Sequence, residues 1–110
     1  MTEKLLIHVT GNLFTDGEVL IMYRHPERET QWRFLDTIAL EEIAIKVVDT
    51  KRYGYRYYDT DLHRFVSASM VAIRLEARIK EKLNENDMPY EGLYGGIDNS
   101  GNAEYHLETP

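Results

Sequence analysis

The sequence has no cysteine, and its apolar runs are short. Without a thiol the chain forms no disulfide, carries no cysteine nucleophile and offers no sulfur ligand to zinc. The apolar runs fall far short of the roughly 20 residues that a transmembrane helix needs, so we expect no membrane partner. The Met-Thr-Glu start is not a basic stretch followed by an apolar one, so we expect no secretory signal and a cytoplasmic protein.

Basic residues are absent after Lys82. Residues 1–50 hold five Lys and Arg against nine Asp and Glu, residues 51–82 hold eight against four, and residues 83–110 hold none against six. The net charge of -6 disfavours general affinity for nucleic acid or anionic membranes. This distribution predicts that the acidic end folds back over the basic middle, or that the middle binds an anion, or that the end binds a basic partner.

What the chain does contain is the composition of one globular domain. Its 110 residues are 43% hydrophobic and 29% charged, which is close to the usual length and composition of a domain. We therefore expect a single domain over residues 1–110. Strands followed by a long central helix and a terminal hairpin predict an α+β fold, with a mostly antiparallel β-sheet packed against that helix.

Alternating apolar and polar residues predict strands at the start of the chain. Residues 4–14 alternate, and residues 18–25 form the partner strand of a hairpin that turns at Asp16-Gly17. A third strand is predicted at residues 31–35. Residues 36–49 fit either a short helix capped by Thr37 or a strand, and we favour the helix.

A long helix is predicted from about Asp61 to Asn84, because this stretch has no glycine or proline and its apolar residues cover more than half of the helical wheel. Asp59, Thr60 or Asp61 would cap it. We expect Ile73→Ala to cost about 2 to 5 kcal/mol and Ser67→Ala, on the opposite arc, at most about 0.5 kcal/mol. A last hairpin is predicted at residues 93–107, turning at residues 98–101.

Cations alternate with aromatic rings over residues 51–58, which is typical of a strand that stacks bases. An ordinary half-buried strand and a tyrosine-rich protein interface fit the same pattern. If the strand binds a nucleotide or single-stranded nucleic acid, the chain offers five residues there and two phosphate clamps on the helix: Arg52, Tyr53, Tyr55, Arg56, Tyr57, Arg74 and Arg78. On the helix itself, we expect Glu81 and Glu85 to pair with Arg78 and Lys82.

No catalytic or metal-binding motif stands out in the sequence. The four histidines, at positions 8, 25, 63 and 106, share no short helical or strand spacing, so a metal site would need the fold to bring them together. No serine lies in the context of an activated nucleophile, and no glycine motif fits a phosphate. We therefore expect no catalytic residue, metal or cofactor, and favour a protein that is not an enzyme.

We interpret the chain as a small acidic protein-binding protein of the inhibitor, immunity or accessory-subunit kind. Its expected partner is a basic protein, for example one that handles nucleic acid, because carboxylates can occupy sites built for phosphates. The expected partner-binding residues are Glu91, Tyr94, Asp98, Glu104 and Tyr105. The alternative is a nucleotide or single-stranded nucleic-acid module centred on residues 51–58, and the sequence leaves a homo-oligomer open.

Overall fold

Residues 4–110, which the computed structural model describes, form eight strands and one long helix. The elements are β1 (Leu6–Asn12), β2 (Glu18–Arg24), β3 (Arg33–Ala39), β4 (Ile45–Thr50), β5 (Gly54–Asp59), β6 (Arg64–Val66), α1 (Ala68–Glu85), β7 (Glu91–Ile97) and β8 (Asn102–Glu108). A five-stranded antiparallel sheet has the order β3-β2-β1-β8-β7, and a three-stranded one has the order β4-β5-β6. Both pack against α1, which confirms the predicted α+β fold.

The first and last hairpins form where the sequence predicts them. Gly17 adopts a φ of +66° in the β1–β2 turn, which a residue with a Cβ rarely adopts. The Asn12 carboxamide oxygen accepts the backbone N–H groups of Phe14 and Thr15, both at 3.0 Å, and so fixes the start of that turn. In the last hairpin, β7 and β8 turn through residues 98–101.

The core lies between the two sheets and α1. Four residues of α1 are completely buried: Val71, Leu75, Ile79 and Leu83. Their spacing of four places them along one narrow stripe of the helix. The stripe joins the inward-facing residues of both sheets, such as Ile7 and Ile45, in one apolar cluster.

The predicted helix start at Asp61 is wrong, because α1 begins at Ala68. The Asp59 carboxylate does accept N–H groups at 2.9 Å from Asp61 and Leu62, but this interaction closes a turn between β5 and β6. Ser67 is the N-cap, and its hydroxyl oxygen accepts the Met70 N–H at 3.2 Å. Aspartate satisfies free N–H groups equally well in a turn and at a helix start, so the sequence alone does not separate the two.

The predicted buried arc of the helix is also partly wrong. Ile73 is 67% exposed, so the expected large cost of Ile73→Ala does not apply. The small cost expected for Ser67→Ala does not apply either, because Ser67 caps the helix. The apolar arc of α1 is wider than the stripe of the helix that packs against the two sheets. Apolarity alone therefore could not identify the buried stripe.

Residues 36–49 contain both of the structures that the sequence left open. β3 begins at Arg33 and continues through Thr37 to Ala39, so Thr37 lies in a strand and caps no helix. One 3₁₀ turn at Leu40–Ile43 follows, and β4 begins at Ile45. Between them Ala44 has a φ of +57°, which redirects the chain. Among residues 4–110, no helix combines the length and the apolarity that crossing a membrane requires.

Candidate functional site

The open face of the five-stranded sheet, which is the side turned away from α1, carries a row of side chains across all five strands. Strand register places directly paired residues in the order Phe34, Met22, His8, His106 and Tyr94, from β3 to β7. Paired residues of neighbouring strands lie on the same face, so these side chains are neighbours. Phe34 is 60% exposed and Tyr94 is 73% exposed, so the row ends in an exposed ring at both edges.

Two further side chains extend the aromatic character of this face. Trp32 lies just before β3, with its ring centroid 5.4 Å from that of His8. The Arg24 guanidinium lies 5.2 Å from the centre of the Trp32 ring. Leu20, 37% exposed, belongs to the neighbouring row with Thr10 and Glu104. The part of the open face around β2 and β3 is therefore largely apolar and aromatic.

His8, Glu104 and His106 form a cluster at the centre of the open face, where β1 pairs with β8. The two imidazole rings are stacked, with centroids 4.6 Å apart and planes within 9°. Glu104 Oε1 lies 2.9 Å from His106 Nε2 and 4.0 Å from His8 Nε2. One ligand atom from each residue falls within 4.8 Å of the others, so these three residues could hold a metal ion.

The environment of His8 favours its neutral form. Burial, followed by the charge of His106, lowers its pKa, and the charge of Glu104 opposes that shift only in part. Its Nε2 atom is buried and has no hydrogen-bond partner among residues 4–110. Sequence reasoning treated the histidines separately, because positions 8 and 106 become neighbours only through the pairing of the first and last described strands.

The predicted partner-binding residues divide between the surface and the core. Tyr94, Glu104 and Glu91 lie on the open face, at or next to β7 and β8. Asp98 lies in the β7–β8 turn, where its carboxylate accepts the N–H groups of Ser100 and Asn102 at 2.9 Å each. Tyr105 is completely buried, so its side chain reaches no partner in this conformation.

The acidic end pairs with the start of the chain in the structure. Lys4 Nζ lies 3.8 Å from a carboxylate oxygen of Glu91 and 3.8 Å from one of Glu108. These contacts lie at one end of the β1–β8 pair and do not involve the basic middle segment. Three carboxylates, those of Glu91, Glu104 and Glu108, outnumber the Lys4 cation and make the β7–β8 side of the open face acidic.

The strand predicted over residues 51–58 begins later in the structure, because residues 51–53 form a turn and β5 starts at Gly54, and six of these eight residues are exposed. Tyr53 and Tyr55 are exposed, whereas Tyr57 is buried with its ring 5.4 Å from that of Phe14. Burial, together with the negative charge of Asp98, raises the pKa of Tyr57 to about 12. The Arg56 guanidinium lies 4.2 Å from the centre of the Phe65 ring, and that of Arg52 lies 5.3 Å from the centre of the Tyr53 ring.

Carboxylates contact three cations of α1, namely Arg74, Arg78 and Lys82. Arg74 donates to the buried carboxylate of Asp59 and, at 3.2 Å, to the Ile43 carbonyl oxygen. Arg74 therefore ties the helix to the three-stranded sheet.

Arg78 donates to Glu42 at 2.9 Å and to Glu81 at 2.8 Å, the second of which confirms a predicted pair. Glu85 binds Arg78 at 3.3 Å, so its predicted pairing with Lys82 is wrong. Lys82 lies instead 3.5 Å from Glu42 and 3.5 Å from Asp36. Sequence spacing missed Glu42 and Asp36 because they come from other elements. Arg74 and Arg78 are thus engaged with carboxylates, which leaves them poorly suited to clamp a phosphate.

No protein-family model, no curated protein and no solved structure matches this chain.

Proposed function

We propose that this chain is a protein-binding protein that receives a basic partner on the open face of its five-stranded sheet. The observation that carries the proposal is the row from Phe34 to Tyr94, which crosses all five strands on a face that α1 leaves uncovered. An accessory or inhibitory role fits a small chain of this kind.

The apolar content of the open face supports a protein partner. Aromatic residues and Met are enriched in protein interfaces, and buried rings supply a large part of the binding energy. Here Phe34 and Tyr94 are more than half exposed, Met22 lies between them in the sheet, and Trp32 flanks the row just before β3. Soluble monomers rarely leave large contiguous patches of this character exposed.

Charge supports a basic partner. The chain has a net charge of -6, and Glu91, Glu104 and Glu108 lie on the β7–β8 side of the open face. A group of carboxylates of this kind attracts a positively charged surface and speeds its association. The nucleotide alternative has less support, because Tyr57 is buried and both helix arginines bind carboxylates.

The rings are tested first by capturing proteins from a lysate of the source cells. Immobilised wild-type chain is compared with a Phe34→Ala/Tyr94→Ala variant by quantitative mass spectrometry. Tyr53→Ala/Tyr55→Ala is the matched control, because it removes two exposed rings from β5 and the turn before it, outside the five-stranded sheet. We expect a basic protein to be captured by the wild type and the control and lost with the open-face variant. Equal loss in both variants would contradict the proposal.

Binding kinetics with the purified partner then distinguish the contribution of the rings from that of the carboxylates. Tyr94→Ala should weaken binding about tenfold or more, chiefly through faster dissociation. Combining Glu91→Gln, Asp98→Asn and Glu104→Gln should slow association and reduce its salt dependence. Unchanged association kinetics with an intact fold would show that these three carboxylates do not attract the partner.

A titration with labelled oligonucleotides and mononucleotides tests the alternative. We expect no binding at high micromolar protein. Binding that Tyr55→Ala weakens would favour the nucleotide module over the protein-binding function.

A further inference from the structure

We infer that His8, Glu104 and His106 form a binding site for a divalent transition-metal ion of the zinc class. This site goes beyond the proposed partner binding, and it can be tested on the isolated chain.

The ligand atoms are close to the spacing that a metal ion requires. Two ligands at the usual zinc distances of 2.0 to 2.2 Å lie about 3.3 Å apart around a tetrahedral ion. Glu104 Oε1 lies 2.9 Å from His106 Nε2 and 4.0 Å from His8 Nε2, and the whole set falls within 4.8 Å. Closing the site requires the hydrogen bond between Glu104 and His106 to open and the stacked rings to turn until both Nε2 atoms face one ion, and the exposure of the Glu104 and His106 side chains allows this motion.

The backbone holds the three residues in place. His8 and His106 are direct partners in the β1–β8 register, and Glu104 lies two residues before His106 on the same face. Both strands are interior strands of the five-stranded sheet, so their backbone is held on both sides. Sites built on such rigid elements are more precise than sites on loops.

His8 contributes to this cluster a ligand atom that is unsatisfied. Its Nε2 is buried without a hydrogen-bond partner among the described residues, and buried polar atoms normally have one. Glu104 Oε1 lies 4.0 Å away, beyond hydrogen-bond distance. A metal ion between these atoms would satisfy the imidazole nitrogen.

The donor set selects the class of metal. Two imidazoles and one carboxylate suit Zn²⁺, Ni²⁺ or Cu²⁺, whereas Ca²⁺ and Mg²⁺ require a shell of oxygen atoms. Three protein ligands leave at least one coordination position for water or for a group from another molecule. Because the open face is uncovered, that position is accessible from solvent.

The single tryptophan provides a local reporter for the test. Trp32 lies 5.4 Å from His8, so Cu²⁺ or Ni²⁺ at the cluster should quench its fluorescence. With tag-free protein, we expect one Zn²⁺ per chain by calorimetry, and saturable quenching by Cu²⁺ or Ni²⁺ that excess Zn²⁺ reverses. Absence of saturable binding at metal concentrations up to about 1 mM would overturn the proposal.

Variants locate the site. His106→Gln and Glu104→Gln should each weaken Zn²⁺ binding at least tenfold, because each removes a ligand. His63→Asn and Glu108→Gln are the controls: His63 lies outside the cluster, and Glu108 is a second carboxylate on the same strand and face. Thermal unfolding without metal checks that each variant is folded. Equal weakening by ligand and control variants, or Zn²⁺ binding without quenching by Cu²⁺ or Ni²⁺, would overturn this assignment.

Discussion

Tyrosines with similar sequence surroundings occupy opposite environments in this fold. Tyr57 and Tyr105 are buried with hydroxyl groups that have no hydrogen-bond partner among residues 4–110, whereas Tyr53 and Tyr94 are exposed. The face that each strand position takes decides the environment, because successive side chains point to opposite sides. Tyr105 was expected at the binding surface, yet it belongs to the core one position away from Glu104.

The buried hydroxyl of Tyr105 predicts an unusual response to mutation. Tyr105→Phe should raise the free energy of unfolding by up to about 1 kcal/mol, because it removes a desolvated hydroxyl without breaking a hydrogen bond. Urea titration near neutral pH measures this difference. A loss of stability would show that the hydroxyl has a partner in solution.

The same tyrosine gives the stability a pH dependence. Burial, followed by the charge of Glu76, raises the Tyr105 pKa to about 12. The pKa of Tyr105 is higher in the folded than in the unfolded chain, so folding favours the protonated hydroxyl. Its contribution to the free energy of unfolding is complete below about pH 10 and is lost as the pH rises towards 12. Tyr105→Phe should therefore lose less stability over that range than the wild type does.

At the scale of single elements, α1 separates apolar residues that stabilise the fold from those that do not. Leu75→Ala should cost about 2 to 5 kcal/mol, because Leu75 is completely buried. Ile73→Ala should change stability by no more than about 0.5 kcal/mol, because Ile73 is exposed. Ser67→Ala should cost about 1 kcal/mol through loss of the N-cap. Urea titrations give this order, and a loss at Ile73 close to that at Leu75 would contradict it.

Local patterns predicted the elements better than their limits. Asp16-Gly17 identified the first hairpin because its turn chemistry is local, and the lack of glycine and proline identified α1. The helix start was missed because Asp59 closes a turn, and Ile73 was misplaced because packing partners decide which arc is buried. In the candidate site, Tyr94 and Glu104 were predicted as binding residues. The His8–His106 pair was not, because no local pattern encodes contacts across nearly the whole chain.

At the scale of the whole molecule, the two faces of the five-stranded sheet differ sharply. One face is covered by α1 and holds the core, while the open face carries the aromatic row and the carboxylates of β7 and β8. The three-stranded sheet is tied to α1 by Arg74 and the buried Asp59. This asymmetry leaves uncovered, among residues 4–110, the face on which we propose partner binding.

The pairing of β1 with β8 brings together the first and last described strands of the chain. Leu5 N–H donates to Thr109 Oγ1 at 2.8 Å, and Thr109 N–H donates to the Leu5 carbonyl oxygen at 3.0 Å, so Leu5 and Thr109 lie side by side in the middle of the sheet. If a linker joined β8 to β1 and the chain opened before β7, the strands of this sheet would follow one another along the chain in the order in which they lie in the sheet, from β7 and β8 through β1 to β3. The sheet is thus a circularly permuted meander, and its interior pair is complete only when β8, the last strand along the chain, pairs with β1.

A circular permutant with a short Gly/Ser linker and new ends at Asp87 and Met88 should keep the fold. It should refold on the order of tenfold faster, because the β1–β8 contact becomes local and closes a much shorter loop. Stopped-flow refolding measures the rate, and circular dichroism checks the structure. A folded permutant that refolds no faster would show that the β1–β8 pairing does not limit the rate at which this sheet forms.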